Sequence, residues 1–235
     1  MENYLRDGLR SIGFSTERVE PLAKKLEQYV EELYMFNKAY DLCGADTKQE
    51  IIIKHVLDSI CAAPHIEKLA HEMQIEKNKA PNKEAVQQDT KFIIADIGSG
   101  GGLPGIPLAI ALSDITFVLV ERMSKRCSFL ENCIAMLGLT NVSVQNEQAE
   151  RIAQQSFDIA VFRAFRPLDK KMTRVLLRIL KKPYGKLVAY KARKEKIKLE
   201  MDSISEWVPD YSVVPLSVPF LTDRERNLVI IDSKA

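Results

Sequence analysis

Apolar residues recur every three or four positions in the early part of the chain. Leu22, Leu26, Tyr29, Val30, Leu33 and Phe36 fall on one stripe, as expected for an amphipathic helix lying on a core. Thr47-Lys-Gln-Glu50 has the form of a capping box directly before Ile51-Ile-Ile, so a helix should open there and carry His55, Val56, Ser59 and Ile60. Pro64 should end or kink it, and a further helical pattern runs to about Glu76. Residues 77–91 (KNKAPNKEAVQQDTK) have no apolar period and contain a proline, which reads as a polar linker or insertion.

From Phe92 the period changes. Short apolar, β-branched runs (Phe92–Ala95, Ile115–Val120, Val142–Val144, Phe157–Phe162, Lys186–Tyr190, Tyr211–Val214 and Asn227–Ile231) alternate with helical stretches. Ser124 can cap one of these helices, whose core face is Phe129, Leu130, Cys133, Ile134 and Leu137 and which Gly138 should end. The alternation predicts an α/β fold. Its core (92–235) is a Rossmann-like, mostly parallel twisted sheet with helices on both faces, and an N-terminal helical extension (1–76) is packed on it.

In such sheets ligands sit beyond the carboxyl ends of the strands, at the point where strand order reverses. The segment Phe92-Ile-Ile-Ala-Asp96-Ile-Gly98-Ser-Gly100-Gly101-Gly102-Leu103-Pro104-Gly105 reads as strand, tight turn and helix, with Pro104 in the first helical turn. It is expected to present bare backbone N–H groups to a closely approaching ligand. Glycines 100, 102 and 105 fit the dinucleotide pattern G-x-G-x-x-G. Read from Asp96, glycines 98, 100 and 102 instead give acid-x-Gly-x-Gly-x-Gly, typical of S-adenosylmethionine-dependent methyltransferases. An acid at the strand's end would repel a pyrophosphate, whereas the ammonium and sulfonium of a methyl donor would be attracted to Asp96. The acid therefore favours a methyl donor.

Other strand ends supply matching chemistry. Glu121 closes the second strand, where a carboxylate can accept hydrogen bonds from both hydroxyls of a ribose. Ala149 and Glu150 follow the third strand, positioned to border an adenine ring, and Arg163 closes the fourth, where it could meet the donor's carboxylate.

Charge adds a second theme. Residues 163–198 hold fourteen Lys or Arg and two acids, a net of +12, which leaves −10 elsewhere in a chain of net +2. So one-sided a block points to a polyanionic partner, most simply RNA or DNA. No apolar run approaches the roughly 20 residues of a membrane span, and the charged start lacks the apolar centre of a signal peptide, so a cytoplasmic location is expected. The cysteines at 43, 61, 127 and 133 form no C-x-x-C, and no histidine stands at zinc spacing; neither a disulfide nor a metal is expected.

The fourth strand runs into Phe162-Arg163-Ala-Phe165-Arg166-Pro167, not into the Asn-Pro-Pro-Tyr or Asp-Pro-Pro-Tyr of exocyclic-amine methyltransferases. No cysteine is placed to attack a pyrimidine ring, and the histidines at 55, 65 and 71 lie in the N-terminal helices with no nucleophile beside them. The chain thus lacks an obvious general base. Guanine N7 has a free lone pair and no proton to lose, so methylating it demands chiefly in-line positioning, which can contribute several kcal/mol.

Six motifs together resemble the RsmG (glucose-inhibited division protein B) family of bacterial methyltransferases that act on small-subunit ribosomal RNA. They are Phe36-Asn37-Lys38-x-Tyr40-x-Leu42, Lys54-His55-Val-Leu57-Asp58-Ser59, the run from Asp96 to Leu108, Lys125-Arg126-x-x-Phe129-Leu130, Arg163-Ala164-Phe165 and Glu225-Arg226-Asn227-Leu228-Val229. Leu103-Pro104-Gly105-Ile106-Pro107 is far more specific than the glycines alone. The resemblance implies a class I methyltransferase fold with S-adenosyl-L-methionine as cofactor. It further implies methylation of guanine N7 in 16S rRNA, with that RNA or the small ribosomal subunit as partner; a monomer with no membrane and no metal is expected besides.

By the same resemblance, Gly98, Leu103, Ala149, Glu150 and Arg163 contact the cofactor and Glu121, where the family often has Asp, is the ribose acid; with Asp96, Gly100 and Gly102 of the glycine turn they form the cofactor set. Lys125, Arg126, Arg166, Lys191, Arg193 and Arg226 are the RNA-binding candidates. His55 and Asp58 read first as bracing between the helical extension and the sheet, with an RNA-facing role as the alternative. The chain departs from the family at Asp41-Leu42-Cys43, where Asn-Leu-Thr is usual. The rival readings are a methyltransferase of this fold acting on another RNA base or a small molecule, and a non-enzymatic RNA-binding protein with a vestigial cofactor pocket.

Overall fold

The computed structural model describes residues 3–79 and 91–233. The early apolar stripe becomes the buried face of α2 (Thr16–Tyr40), which follows α1 (Tyr4–Ile12) and buries Leu22, Leu26, Tyr29, Val30 and Leu33. Thr47 caps α3 (Lys48–Ile51), its Oγ1 accepting the Glu50 N–H at 3.1 Å. The returning Glu50 carboxylate accepts from the Asp46 N–H at 3.0 Å. The helix then widens into a π-helical turn, Ile52–Leu57, and tightens again as α4 (Asp58–Ile60). Pro64 stands in the first turn of α5 (Ala63–Lys79), where a missing N–H leaves no helical bond unmade. α5 runs three residues into the expected linker, and residues 80–90 of that insertion lie outside the described residues.

Among the described residues seven strands form one sheet: β1 (Ile93–Ile97), β2 (Thr116–Glu121), β3 (Val142–Asn146), β4 (Ile159–Arg163), β5 (Lys186–Lys191), β6 (Ser212–Leu216) and β7 (Arg226–Asp232). Their order is β3-β2-β1-β4-β5-β7-β6. β1 to β5 are parallel, with α6 (Gly105–Ala111), α7 (Ser124–Leu137) and α8 (Lys170–Arg178) among their crossovers. α9 (Lys194–Asp202) leads from β5 towards β6. Strand order reverses between β1 and β4, which places the switch point at the glycine turn after β1.

β7 departs from the parallel run, pairing antiparallel with both β5 and β6. The connection from β6 spans only residues 217–225 and holds no helix, too short for a parallel crossover. The sheet is covered on both sides. One apolar cluster joins it to the N-terminal helices, α6 and α7, and the other to α8 and α9. Ser124 does not act as a cap: its Oγ donates to Asn146 Oδ1 at 3.1 Å, and Met123 holds the N-cap position with no side-chain bond. Gly138 does end α7, in a left-handed conformation.

Candidate active site

The β1–α6 turn is tied down by its own sequence. Asp96 at the end of β1 is fully buried, and its Oδ2 accepts the Gly105 N–H at 2.9 Å. A Cβ on Gly105 would press into that carboxylate, so close approach requires glycine there. The N–H groups of Gly98 and Ser99 both donate to the Val120 carbonyl, at 2.8 and 3.1 Å, and those of Gly102 and Leu103 donate to the Ser99 carbonyl at 2.7 and 3.1 Å. Gly100 N–H donates to Glu121 Oε2 at 3.0 Å. From the helical extension, the buried Tyr29 hydroxyl donates to the Gly101 carbonyl at 2.5 Å.

This corrects the expectation of bare N–H groups. The turn is so tight that carbonyls and two carboxylates within reach take up the N–H groups of Gly98, Ser99, Gly100, Gly102, Leu103 and Gly105. A pyrophosphate, which needs such donors, is therefore poorly served. What the turn offers a ligand is bare Cα surface, above all at Gly98, whose φ of +72° suits glycine and where a Cβ would overlap the Phe165 ring.

Asp96 also differs from its expected role. It lines neither cleft described below, and burial pushes its carboxyl up to about 7 against the opposing Gly105 hydrogen bond. It supports the turn from beneath through Oδ2, while its Oδ1 is buried with no hydrogen-bond partner among the described residues. Gly102, likewise expected as a contact, is buried and lines neither cleft.

Two clefts open at the carboxyl ends of the strands and meet at Gly98, Arg126 and the Ala164-Phe165-Arg166 segment. The smaller, about 230 Å³, is lined by Gly98, Glu121, Ala149 and Glu150 as expected, and also by Ile97, Met123, Gln148 and Phe165. Glu121 is 5% exposed, and its two oxygens accept from the Gly100 and Met123 N–H groups at 3.0 and 2.9 Å. A carboxylate has about four lone-pair sites. Two remain for a diol, which fits a ribose.

The larger cleft, about 790 Å³, lies between the sheet and the helical extension. Gly100, Leu103, Arg126, Arg163, Arg166, Lys191 and Arg226 line it as candidates, joined by Lys54, His55, Asp58, Tyr190 and Arg224. Seven Lys or Arg side chains face two carboxylates, Asp58 and Glu200. Asp58 is shared between Arg163 Nη1 at 2.7 Å and Arg226 Nε at 2.8 Å, and Glu200 pairs with Lys191 at 2.7 Å. Arg163 Nη2 lies 3.3 Å from His55 Nδ1, and since a guanidinium only donates, Nδ1 accepts. Burial and the neighbouring Arg163 hold the His55 imidazole down at about 4, so it is neutral near pH 7. His55 and Asp58 therefore line the cleft as well as bridging extension and sheet.

The basic block proves less one-sided in space than in sequence. Among the described residues, six of its fourteen cations, Arg163, Arg166, Lys170, Lys181, Lys186 and Lys191, pair with acids from outside it. Only Arg163, Arg166 and Lys191 of the block line the larger cleft. Lys125 and Arg193 are exposed but line neither cleft.

The chain's likenesses agree with this geometry. Residues 22–75 and 80–229 match the GidB family, described as rRNA small subunit methyltransferase G. A ribosomal RNA small subunit methyltransferase G from Treponema denticola is 41% identical over 97% of this chain and 93% of its own length. Its counterpart from Treponema pallidum is 37% identical over 89% of this chain and 85% of its own. A Methanococcus maripaludis structure, provisionally described as an S-adenosyl-L-methionine-dependent methyltransferase, matches with a TM-score of 0.53 at 16% identity. The match spans 88% of this chain and 92% of that one and is a likeness of fold alone. With a glycine turn that suits a methyl donor, a basic second cleft beside it and relatives matched along nearly their whole length, the chain belongs to the rRNA small subunit methyltransferase G (GidB) family.

Proposed function

We propose that this protein, acting in the cytoplasm as a monomer, methylates N7 of a guanine in 16S rRNA, in the RNA itself or in the small ribosomal subunit. When bound, S-adenosyl-L-methionine supplies an electrophilic methyl group carried on a sulfonium. The smaller cleft would hold its adenosine: Glu121 accepts from the ribose hydroxyls, Ala149 and Glu150 border the adenine, and Gly98 lets the ligand approach the turn. Arg163, at the junction of sheet and helical extension, would meet the donor's carboxylate. The cations of the larger cleft would bind RNA phosphates, with Lys125 and Arg193 extending the contact outward. On this reading the helical extension, residues 1–76, is part of the site and supplies one wall of the acceptor cleft.

One observation carries the choice of acceptor. Both carboxylates lining the larger cleft are held by cations, Asp58 by two guanidiniums and Glu200 by Lys191. The His55 ring spends its acceptor nitrogen on Arg163. A hydroxyl or exocyclic amine would have to lose a proton to one of these engaged groups. Guanine N7 asks only to be placed in line with the methyl and sulfur.

The test is to incubate labelled donor with small subunits lacking the modification, digest the RNA and identify the labelled nucleoside. Label in 7-methylguanosine is the expected outcome. Label in another nucleoside would overturn the choice of acceptor, and no incorporation would overturn the enzymatic reading.

A further inference from the structure

The π-helical turn Ile52–Leu57 stands immediately before Asp58. Such turns are rare, and they are frequent at functional sites. Here Lys54 and His55 within the turn, and Asp58 just after it, all line the larger cleft. The Asp58 side chain is 5% exposed, and its two oxygens serve different strands: Oδ2 accepts from Arg163 at the end of β4, Oδ1 from Arg226 at the start of β7. β5 lies between those strands and pairs with both, so Asp58 links the ends of two strands that are not neighbours in the sheet.

One carboxylate set against two guanidiniums leaves a surplus positive charge in a largely buried cluster. A brace needs only a neutral pair, and burying unmatched charge is unfavourable. The surplus suits a wall that receives anions. We propose that Asp58 is a positioning residue. It holds Arg163 and Arg226 in one fixed arrangement, so that the contact with the donor's carboxylate and the contact with RNA phosphate are set together. This inference rests on the function proposed above. Its mechanism is competition: Arg226 draws on the Asp58 charge, which keeps Arg163 from being fully neutralised and leaves it able to receive the donor.

Donor affinity, read by calorimetry on the full chain, tests this without any turnover. Arg226→Gln should weaken donor binding about fivefold or more, the scale of modest coupling between sites, although Arg226 does not line the smaller cleft. Arg226→Lys, which keeps the charge beside Asp58, should restore most of it. In an Asp58→Asn background, adding Arg226→Gln should change donor affinity no further. Unchanged donor affinity in Arg226→Gln overturns the proposal, as does an Arg226→Gln effect that persists in Asp58→Asn. If Asp58→Asn does not fold, the Gln and Lys variants at 226 decide alone; simple bracing would lower the melting temperature and leave affinity untouched. Failure of the functional reading looks different: the wild-type chain would bind donor yet leave guanine N7 unlabelled.

Discussion

The two clefts share Gly98 and Phe165 but are built in opposite ways. The smaller is assembled from residues 97–166, and its charge is balanced, with three Arg facing three Glu. Its key carboxylate, Glu121, is fixed by main-chain N–H groups. The larger draws on residues from Leu42 to Arg226, is strongly basic, and fixes its charged groups through side-chain ion pairs. Backbone-held groups suit a small ligand of fixed shape, because they move little when it binds. An ion pair at a cleft wall, such as Lys191 with Glu200, can exchange partners, which suits a polyanion whose phosphates arrive from outside, while Asp58 keeps Arg163 and Arg226 in place.

The sharpest way to break the comparison is at the shared glycine. Gly98→Val would force a β-branched residue to φ +72° and push its side chain into the Phe165 ring, which lines both clefts. Backbone strain of this kind costs on the order of 1–3 kcal/mol, enough to weaken donor binding by about tenfold to a hundredfold. RNA affinity, spread over many cation–phosphate contacts along the larger cleft, should stay within about twofold in a filter-retention assay. Parallel loss of both affinities would mean that the clefts are one site.

Beneath both clefts, Asp96 offers a smaller effect with a definite sign. Its carboxyl is pushed from the ordinary 3.8 up to about 7 by burial, so ionising it costs the folded state. The stability it contributes is full below about pH 4 and is lost as pH rises through about 7. Asp96→Asn removes that dependence. Between about pH 5 and about pH 8 the wild-type melting temperature should fall by a few degrees relative to the variant. Donor affinity in the variant should stay near wild type at low pH; a pH-independent loss would show that Asp96 meets the donor directly.

The same contrast explains what the sequence could disclose. Strand ends and the glycine turn are local chemistry, so Gly98, Glu121, Ala149 and Glu150 fall in one cleft as their spacing suggests. Asp96 was identifiable as an acid at a strand end, but a period-two pattern does not say whether a terminal side chain faces the ligand or supports the turn. The antiparallel entry of β7 was equally hidden, because an apolar run carries no direction. The larger cleft depends on partners far apart in the chain, such as Asp58 and Arg226, separated by 168 positions. Counting charge along the chain misjudged the basic block for the same reason: the acids that neutralise six of its members arrive through the fold.

The smallest effect separates free from paired cations at the RNA face. Arg193, the N-cap residue of α9, is exposed and has no ion-pair partner among the described residues, whereas Lys191 is held by Glu200. Each phosphate neutralised lowers the slope of log affinity against log salt by about 0.7 for single-stranded and about 0.9 for duplex nucleic acid. Arg193→Gln should therefore make the slope shallower by about that amount, cost only a few-fold in RNA affinity and leave donor affinity unchanged. Lys191→Gln should alter the slope less, because a lysine already neutralised by Glu200 has less charge to offer a phosphate. Equal changes in slope for the two variants would mean that RNA pulls Lys191 away from Glu200. The Lys191–Glu200 pair would then be exchanged on binding, and the adaptability that distinguishes the larger cleft from the donor cleft would be directly measured.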